Sequence, residues 1–140
     1  MTSIDEVLYC FDELNHVVIA TVDGNKPKLR PMTLVKHENV FYFATGSAAT
    51  KVKQLDQNPE LELILQWKEE TNNGYIRVEG TAIQEKAKDT IIQLYNKFEY
   101  FGKLWESPED PTLIVYKVTP RIFDYMKPGE WASVQIKTGN

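Results

Sequence analysis

The sequence predicts a mainly β protein, an antiparallel barrel with peripheral helices, in one domain covering residues 1–140. Two observations lead there. About seven stretches have the β-branched and aromatic content of strands, and most follow one another across short turn signals. The helical stretches fall only at the start, in the middle and after the fifth strand, so the regular crossovers of a parallel βαβ sheet are missing. A chain of 140 residues is long enough to bury about two-thirds of its unfolded surface in a single core.

Taken in order, Ser3-Ile4-Asp5-Glu6 is a capping-box pattern, and Val7, Leu8, Phe11 and Leu14 follow at helical spacing, predicting a helix to about Leu14. Residues 16–22 read as a strand closed by the hairpin signal Asp23-Gly24. Residues 27–35 and 40–45 form the next two strands, joined by a tight turn at His37-Glu38-Asn39. A short helix carrying Val52 and Leu55 comes after them and stops at Asn58-Pro59. Leu61, Leu63, Leu65 and Trp67 mark one apolar strand face, and a turn is expected at residues 71–74. Residues 75–84 are a long strand in which Gly80 signals a bulge or a close backbone approach. A helix over residues 86–100 leads to an aromatic cluster of Tyr100, Phe101, Leu104 and Trp105. Residues 113–118 and 122–126 are the last two strands, divided at Pro120, and a polar tail follows Trp131.

Composition narrows the function classes. The net charge of -4 argues against a general nucleic-acid binder, which needs a basic face to displace counterions. Cys10 is the sole cysteine and His16 and His37 the only histidines, so neither a disulfide framework nor a metal motif is expected. Cys10 should behave as a small hydrophobe and be dispensable. No apolar run approaches membrane-spanning length, and the start lacks the basic and apolar regions of a signal peptide; the expectation is a cytoplasmic protein without a membrane partner.

The chemistry gathers at the corner between residues 45 and 51. A helix start presents open backbone N–H groups and a positive dipole end, which favour an anion. Here the corner also carries the hydroxyls of Thr45, Ser47 and Thr50 and the ammonium of Lys51, with Arg30 on the preceding strand. The set suits a phosphate. The competing reading is that Ser47 simply caps the helix while Lys51, Lys53 and Arg30 are solvated charges.

These pieces together resemble the FMN-binding split β-barrel proteins related to pyridoxamine 5′-phosphate oxidase. The resemblance covers about residues 4–131. It is carried by Leu29-Arg30-Pro31-Met32, by Phe43-Ala44-Thr45 with Lys51 six residues on, and by Asn58-Pro59. It implies FMN as cofactor, a homodimer with two flavins at its interface, and phosphate contacts from the strand arginine and the corner's threonine and lysine. Pro31, Met32 and Thr33 would offer main-chain groups to the polar edge of the ring. Trp131 would be either an aromatic wall or a plug in the barrel end.

Two departures bear on activity. The oxidases carry Ser-Arg-Lys where this chain has Ala49-Thr50-Lys51, and they end in an Arg- and His-bearing segment that this chain lacks. The closer likeness is to the short general-stress and nitroimidazole-resistance types, rather than to enzymes that oxidise pyridoxamine phosphate. The expected function is a flavin-dependent oxidoreductase acting on a small molecule with NAD(P)H as donor. The alternative is a non-catalytic carrier of a flavin, a deazaflavin or a tetrapyrrole. No triad or carboxylate pair has catalytic spacing, so no catalytic residue is assigned; Tyr75, Arg77, Trp105 and Trp131 are candidates to line a substrate cavity.

Overall fold

A computed structural model describes residues 2–139. Its elements are α1 (Ile4–Tyr9), β1 (Leu14–Asp23), β2 (Lys26–His37), β3 (Val40–Gly46), α2 (Thr50–Gln57), β4 (Glu60–Glu69), β5 (Asn72–Gln84), α3 (Lys88–Lys97), α4 (Glu99–Leu104), β6 (Leu113–Met126) and β7 (Val134–Lys137). The strands lie in the order β3-β2-β1-β4-β5-β6-β7, all described pairs are antiparallel, and β3 also pairs with β6. That extra pairing closes six strands into a barrel, which removes two sheet edges.

The closure is incomplete on one side. β2 pairs with β3 only through Val35↔Tyr42, Lys36↔Phe41 and His37↔Val40, at the hairpin end. Beyond it β2 keeps to β1, while β3 turns to β6 from Phe41 to Gly46. The two strands diverge and leave a cleft, with Leu29 to Thr33 on one lip and Thr45 on the other. This is the split of the barrel.

Alternation explains the interior. Val17 and Ile19 on β1, Leu34 on β2, Phe43 on β3 and Leu63 on β4 are all under 4 % exposed. Each such side chain contributes about 1.5–3 kcal/mol through burial. β3 is buried on both faces: Phe41 and Phe43 point into the barrel, and Tyr42 and Ala44 point outward beneath Leu94, Phe98, Phe101 and Trp105 of the α3–α4 segment. A strand covered on both sides reads as an unbroken apolar run, which is why VFYFA shows no alternation.

Several expected boundaries move. α1 ends at Tyr9 rather than near Leu14, because Asn15 captures the chain: its Oδ1 accepts from the Asp12 N–H at 2.8 Å and its Nδ2 donates to the Asp12 carbonyl at 2.7 Å. Ser3 caps that helix as expected, accepting from the Glu6 N–H. The turn placed at residues 71–74 lies earlier, at Glu70-Thr71, and Asn72 and Asn73 are already paired in β5. The helix expected over residues 86–100 is two, broken where Phe98 adopts φ -109, ψ 109. The two strands divided at Pro120 are one strand, β6, since Pro120 sits opposite Gly80 at a bulge where no ladder hydrogen bond is needed. The tail supplies an unexpected strand, β7, so the count of seven is reached by a different partition.

Candidate functional site

The corner begins where β3 runs out. Gly46 ends the strand, the Ser47 N–H donates to the Thr112 carbonyl at 2.9 Å, and α2 starts at Thr50. The residue capping α2 is Ala49, which makes no side-chain cap bond, so Ser47 does not cap the helix. The Val52 N–H turns back to the Ala49 carbonyl at 3.1 Å, so the first turn of α2 is closed by backbone rather than by a side-chain cap.

Lys51, on that first turn, folds back and donates to Thr45 Oγ1 at 2.8 Å. Thr45 is buried and inward-facing, at the end of the Phe41, Phe43 series. Across the cleft, Arg30 faces the barrel mouth from β2. Its Nη1 donates to Thr21 Oγ1 at 2.8 Å and to the Ile19 carbonyl at 3.3 Å, and its Nη2 donates to Gln54 Oε1 at 3.1 Å. Thr21 donates in turn to Gln54 Oε1 at 2.5 Å. Arg30 and Lys51 are thus fixed, half-buried groups, whereas Lys53 is exposed and fits the solvated reading.

The electrostatics of this pair are unusual. Burial, and then the neighbouring Arg30 guanidinium, pull the Lys51 ammonium below its ordinary value. Burial lowers Arg30 as well. Among the described residues neither cation has a carboxylate partner; the ion pairs lie elsewhere, at Arg77–Asp124, Lys97–Glu13, Lys127–Glu6 and Arg121 with Glu60 and Glu79. Two partly desolvated cations are near enough for Arg30 to act on Lys51, and the side-chain hydrogen bonds of both go to neutral oxygens. An anion relieves that arrangement. The donor set, two cations with a hydroxyl at a helix start, fits a phosphate such as that of a flavin nucleotide.

The other expected residues distribute as follows. Ser47 and Thr50 are exposed at the corner, and Met32 packs against the barrel core beside Arg30 on the same strand face. Pro31 and Thr33 alternate to the outer face; their backbone, on the unpaired side of β2, borders the cleft. Trp131 is 98% exposed and is no plug in the barrel. It borders a cavity of about 390 Å³ with Tyr125, Lys127 and Val134, and its own chain does not bring it to the corner. Trp105 is buried and packs against Phe101, with the rings tilted at 6.0 Å between centroids. Arg77 is held by Asp124, with Nε donating to Oδ2 at 3.1 Å, over the edge of the Tyr75 ring. Cys10 has no disulfide partner, and its thiol donates to Tyr125 Oη at 3.4 Å.

Thr21 and Gln54 were not anticipated. Both carried a signal: Thr21 is polar at an inward position of the Val17, Ile19 series, and Gln54 lies one turn after Lys51 on the same helix face.

Comparison with known proteins bears on the fold and the family. Residues 3–127 match the family model described as pyridoxamine 5′-phosphate oxidase. General stress protein 26 of Bacillus subtilis (strain 168) is 25% identical over 128 residues, covering 85% of this chain and 84% of that protein. The crystal structure of General Stress Protein 26 from Bacillus anthracis str. Sterne aligns with a TM-score of 0.72 at 23% identity over 89% of each chain. A NimC/NimA family protein from Clostridium acetobutylicum gives a TM-score of 0.77 at 18% identity, covering 95% of this chain and 88% of that one. The fold is shared more distantly by an FAD-binding protein of Mesorhizobium loti, TM-score 0.63, and the heme storage protein HutZ of Vibrio cholerae, TM-score 0.66. Among the described residues no helix is long and apolar enough to cross a membrane. With its split antiparallel barrel and the match over residues 3–127, the chain belongs to the pyridoxamine 5′-phosphate oxidase family.

Proposed function

We propose that the chain binds FMN with the phosphate on Arg30, Lys51 and Thr45, and acts as a flavin-dependent oxidoreductase on a small molecule with NAD(P)H as donor. The observation that carries the reading is the pair of partly buried cations, Arg30 and Lys51, without a carboxylate between them. Ser47, Thr50 and the positive end of α2 lie at the same corner. Thr21 and Gln54 hold the Arg30 guanidinium in place, so the phosphate seat is pre-organised. The unpaired side of β2 from Leu29 to Thr33, including Pro31 and Met32, supplies main-chain groups to the polar edge of the ring. The cleft has one lip on each side and no cover, so a second copy of the chain completes it, with Trp131 available as an aromatic wall.

Bound flavin supplies the hydride and electron chemistry; the protein binds it, orients it and limits solvent access. Pyridoxamine phosphate is not the proposed substrate, since the corner carries Ala49-Thr50-Lys51 where the oxidases carry Ser-Arg-Lys.

The test is a titration of the apoprotein with FMN and riboflavin, followed by flavin fluorescence, in the wild type and in Lys51→Ala. Loss of a charge-assisted contact costs about 1.5–3 kcal/mol, so FMN should weaken roughly tenfold to a hundredfold while riboflavin barely changes. Equal weakening of both flavins would remove the phosphate from Lys51. The second reading is a tetrapyrrole carrier, favoured by the fold shared with HutZ: the propionates would take the same two cations. Hemin in the same titration distinguishes them, because a carrier of that kind binds hemin more tightly than FMN and shows no NAD(P)H turnover.

A further inference from the structure

At the other end of the barrel, a second cavity has the opposite electrostatic character. Its volume is about 550 Å³, within the range of small-molecule sites. Tyr9, Trp67 and Tyr125 give it aromatic walls, and Asp12 and Glu69 stand among its lining residues, which include His16 but no lysine or arginine. It lies at the Leu14 end of β1. The Arg30–Lys51 corner lies at the Thr21 end, about seven strand residues or roughly 23 Å away.

Each part of this cavity has a distinct origin. Asn15, held by Asp12, bends the chain from α1 into β1 and leaves the Asp12 carboxylate exposed. Trp67 stacks obliquely on Tyr125 at 6.2 Å between ring centroids. Tyr9 is 89% exposed, an aromatic ring with no packing role in its own chain. The nearby cations are already committed. Lys36 donates to the carbonyls of Leu8 and Phe11 at 2.8 and 2.6 Å, and Lys127 pairs with Glu6 while sitting over the Tyr125 ring. Neither Asp12 nor Glu69 has a cationic partner among the described residues. Two unpaired carboxylates beside aromatic faces attract a positive charge through both Coulomb and quadrupole terms.

We infer that this cavity is a binding site for a small organic cation, a planar or quaternary nitrogen compound, distinct from the phosphate seat. The inference does not depend on the flavin reading. The same charges disfavour a tetrapyrrole here, since its propionates would meet Asp12 and Glu69 with no base to hold them.

The test uses calorimetry on the protein as purified, with N-methylquinolinium as the cationic probe. Quinoline, neutral at mildly alkaline pH and nearly the same shape, is the control. The cation should bind at least tenfold more tightly than quinoline. The double substitution Asp12→Asn, Glu69→Gln should weaken the cation about tenfold and leave quinoline unchanged. Tyr9→Ala should weaken the cation about twofold to fivefold. All three positions are exposed, so folding is not at stake, and flavin content should be unaffected by each change. Equal affinity for cation and neutral probe, no binding of the cation at millimolar concentration, or an undiminished affinity in the double variant would overturn the inference.

Discussion

At the residue scale, Lys51 converts the geometry into a pH dependence. Its ammonium is held below its usual value of 10.5, by burial first and by Arg30 second. A bound phosphate opposes both effects and raises it again. The complex therefore holds the proton more tightly than the free protein. FMN affinity should be full below the lowered Lys51 value and should fall as pH rises through it, in the alkaline range. Riboflavin shares the ring ionisation but not the phosphate, so the ratio of the two affinities isolates the lysine. A ratio independent of pH up to the ordinary lysine value would contradict the placement. The apoprotein's stability should move the other way. The unfolded chain binds the Lys51 proton more readily, so the penalty of charging it is present at neutral pH and is relieved on going alkaline.

At the scale of elements, two backbone positions make direct predictions. The β2–β3 hairpin turns on Glu38 and Asn39, both left-handed at φ 52 and φ 61. That is the turn whose twist suits two strands, but a glutamate holds it at a cost. Glu38→Gly should raise stability by about 1 kcal/mol, read as a higher urea midpoint at constant slope, and a lower midpoint would refute it. Gly80 behaves oppositely. A Cβ there would come within 2.2 Å of the Thr119 carbonyl oxygen, which is backbone and cannot step aside. Gly80→Ala should therefore destabilise by about 2–3 kcal/mol, and an unchanged thermal midpoint would show that the bulge absorbs the methyl group.

The same elements show what sequence reasoning can reach. Local patterns carried the hairpins: Asp23-Gly24, the Glu38-Asn39 turn and the Gly80 bulge each follow from backbone preferences of one or two residues. Thr45 and Lys51 were legible because strand end and helix start are adjacent in sequence. What failed depended on distant partners. Pro120 looked like a strand break, yet the bulge opposite it lets β6 continue. β7 is four residues long and mostly exposed, so only its pairing with residues 122–125 of β6 defines it. Trp105 was a candidate to line a substrate cavity, but it is buried with Tyr42 in the cluster that packs the α3–α4 segment on the outer face of β3. Gln54 joins Arg30 only because α2 packs on β1, beside which β2 is paired.

For the whole molecule, the outer sheet face gives the final prediction. Register aligns Pro31, Val18, Ile64 and Arg77 in one row across β2, β1, β4 and β5, and Leu29 and Ala20 in the next row. Leu29 is 72% exposed, and the row ends in the Arg77–Asp124 pair, with Glu62 and Glu79 beside it. A face with an apolar strip and charges of both signs suits contact with its own copy about a two-fold axis. It adjoins the open side of β2, so the same contact would bring a second wall to the cleft. The proposed homodimer should persist at micromolar concentration in sedimentation equilibrium. Leu29→Lys should shift it toward monomer. An exposed leucine contributes little to the fold of a single chain, so the monomer's thermal unfolding should remain cooperative. FMN affinity should fall together with dimer content, and riboflavin affinity with it, because the lost wall serves the ring rather than the phosphate. A wild-type monomer at that concentration, or a Leu29→Lys protein that stays dimeric, would show that the cleft is closed some other way.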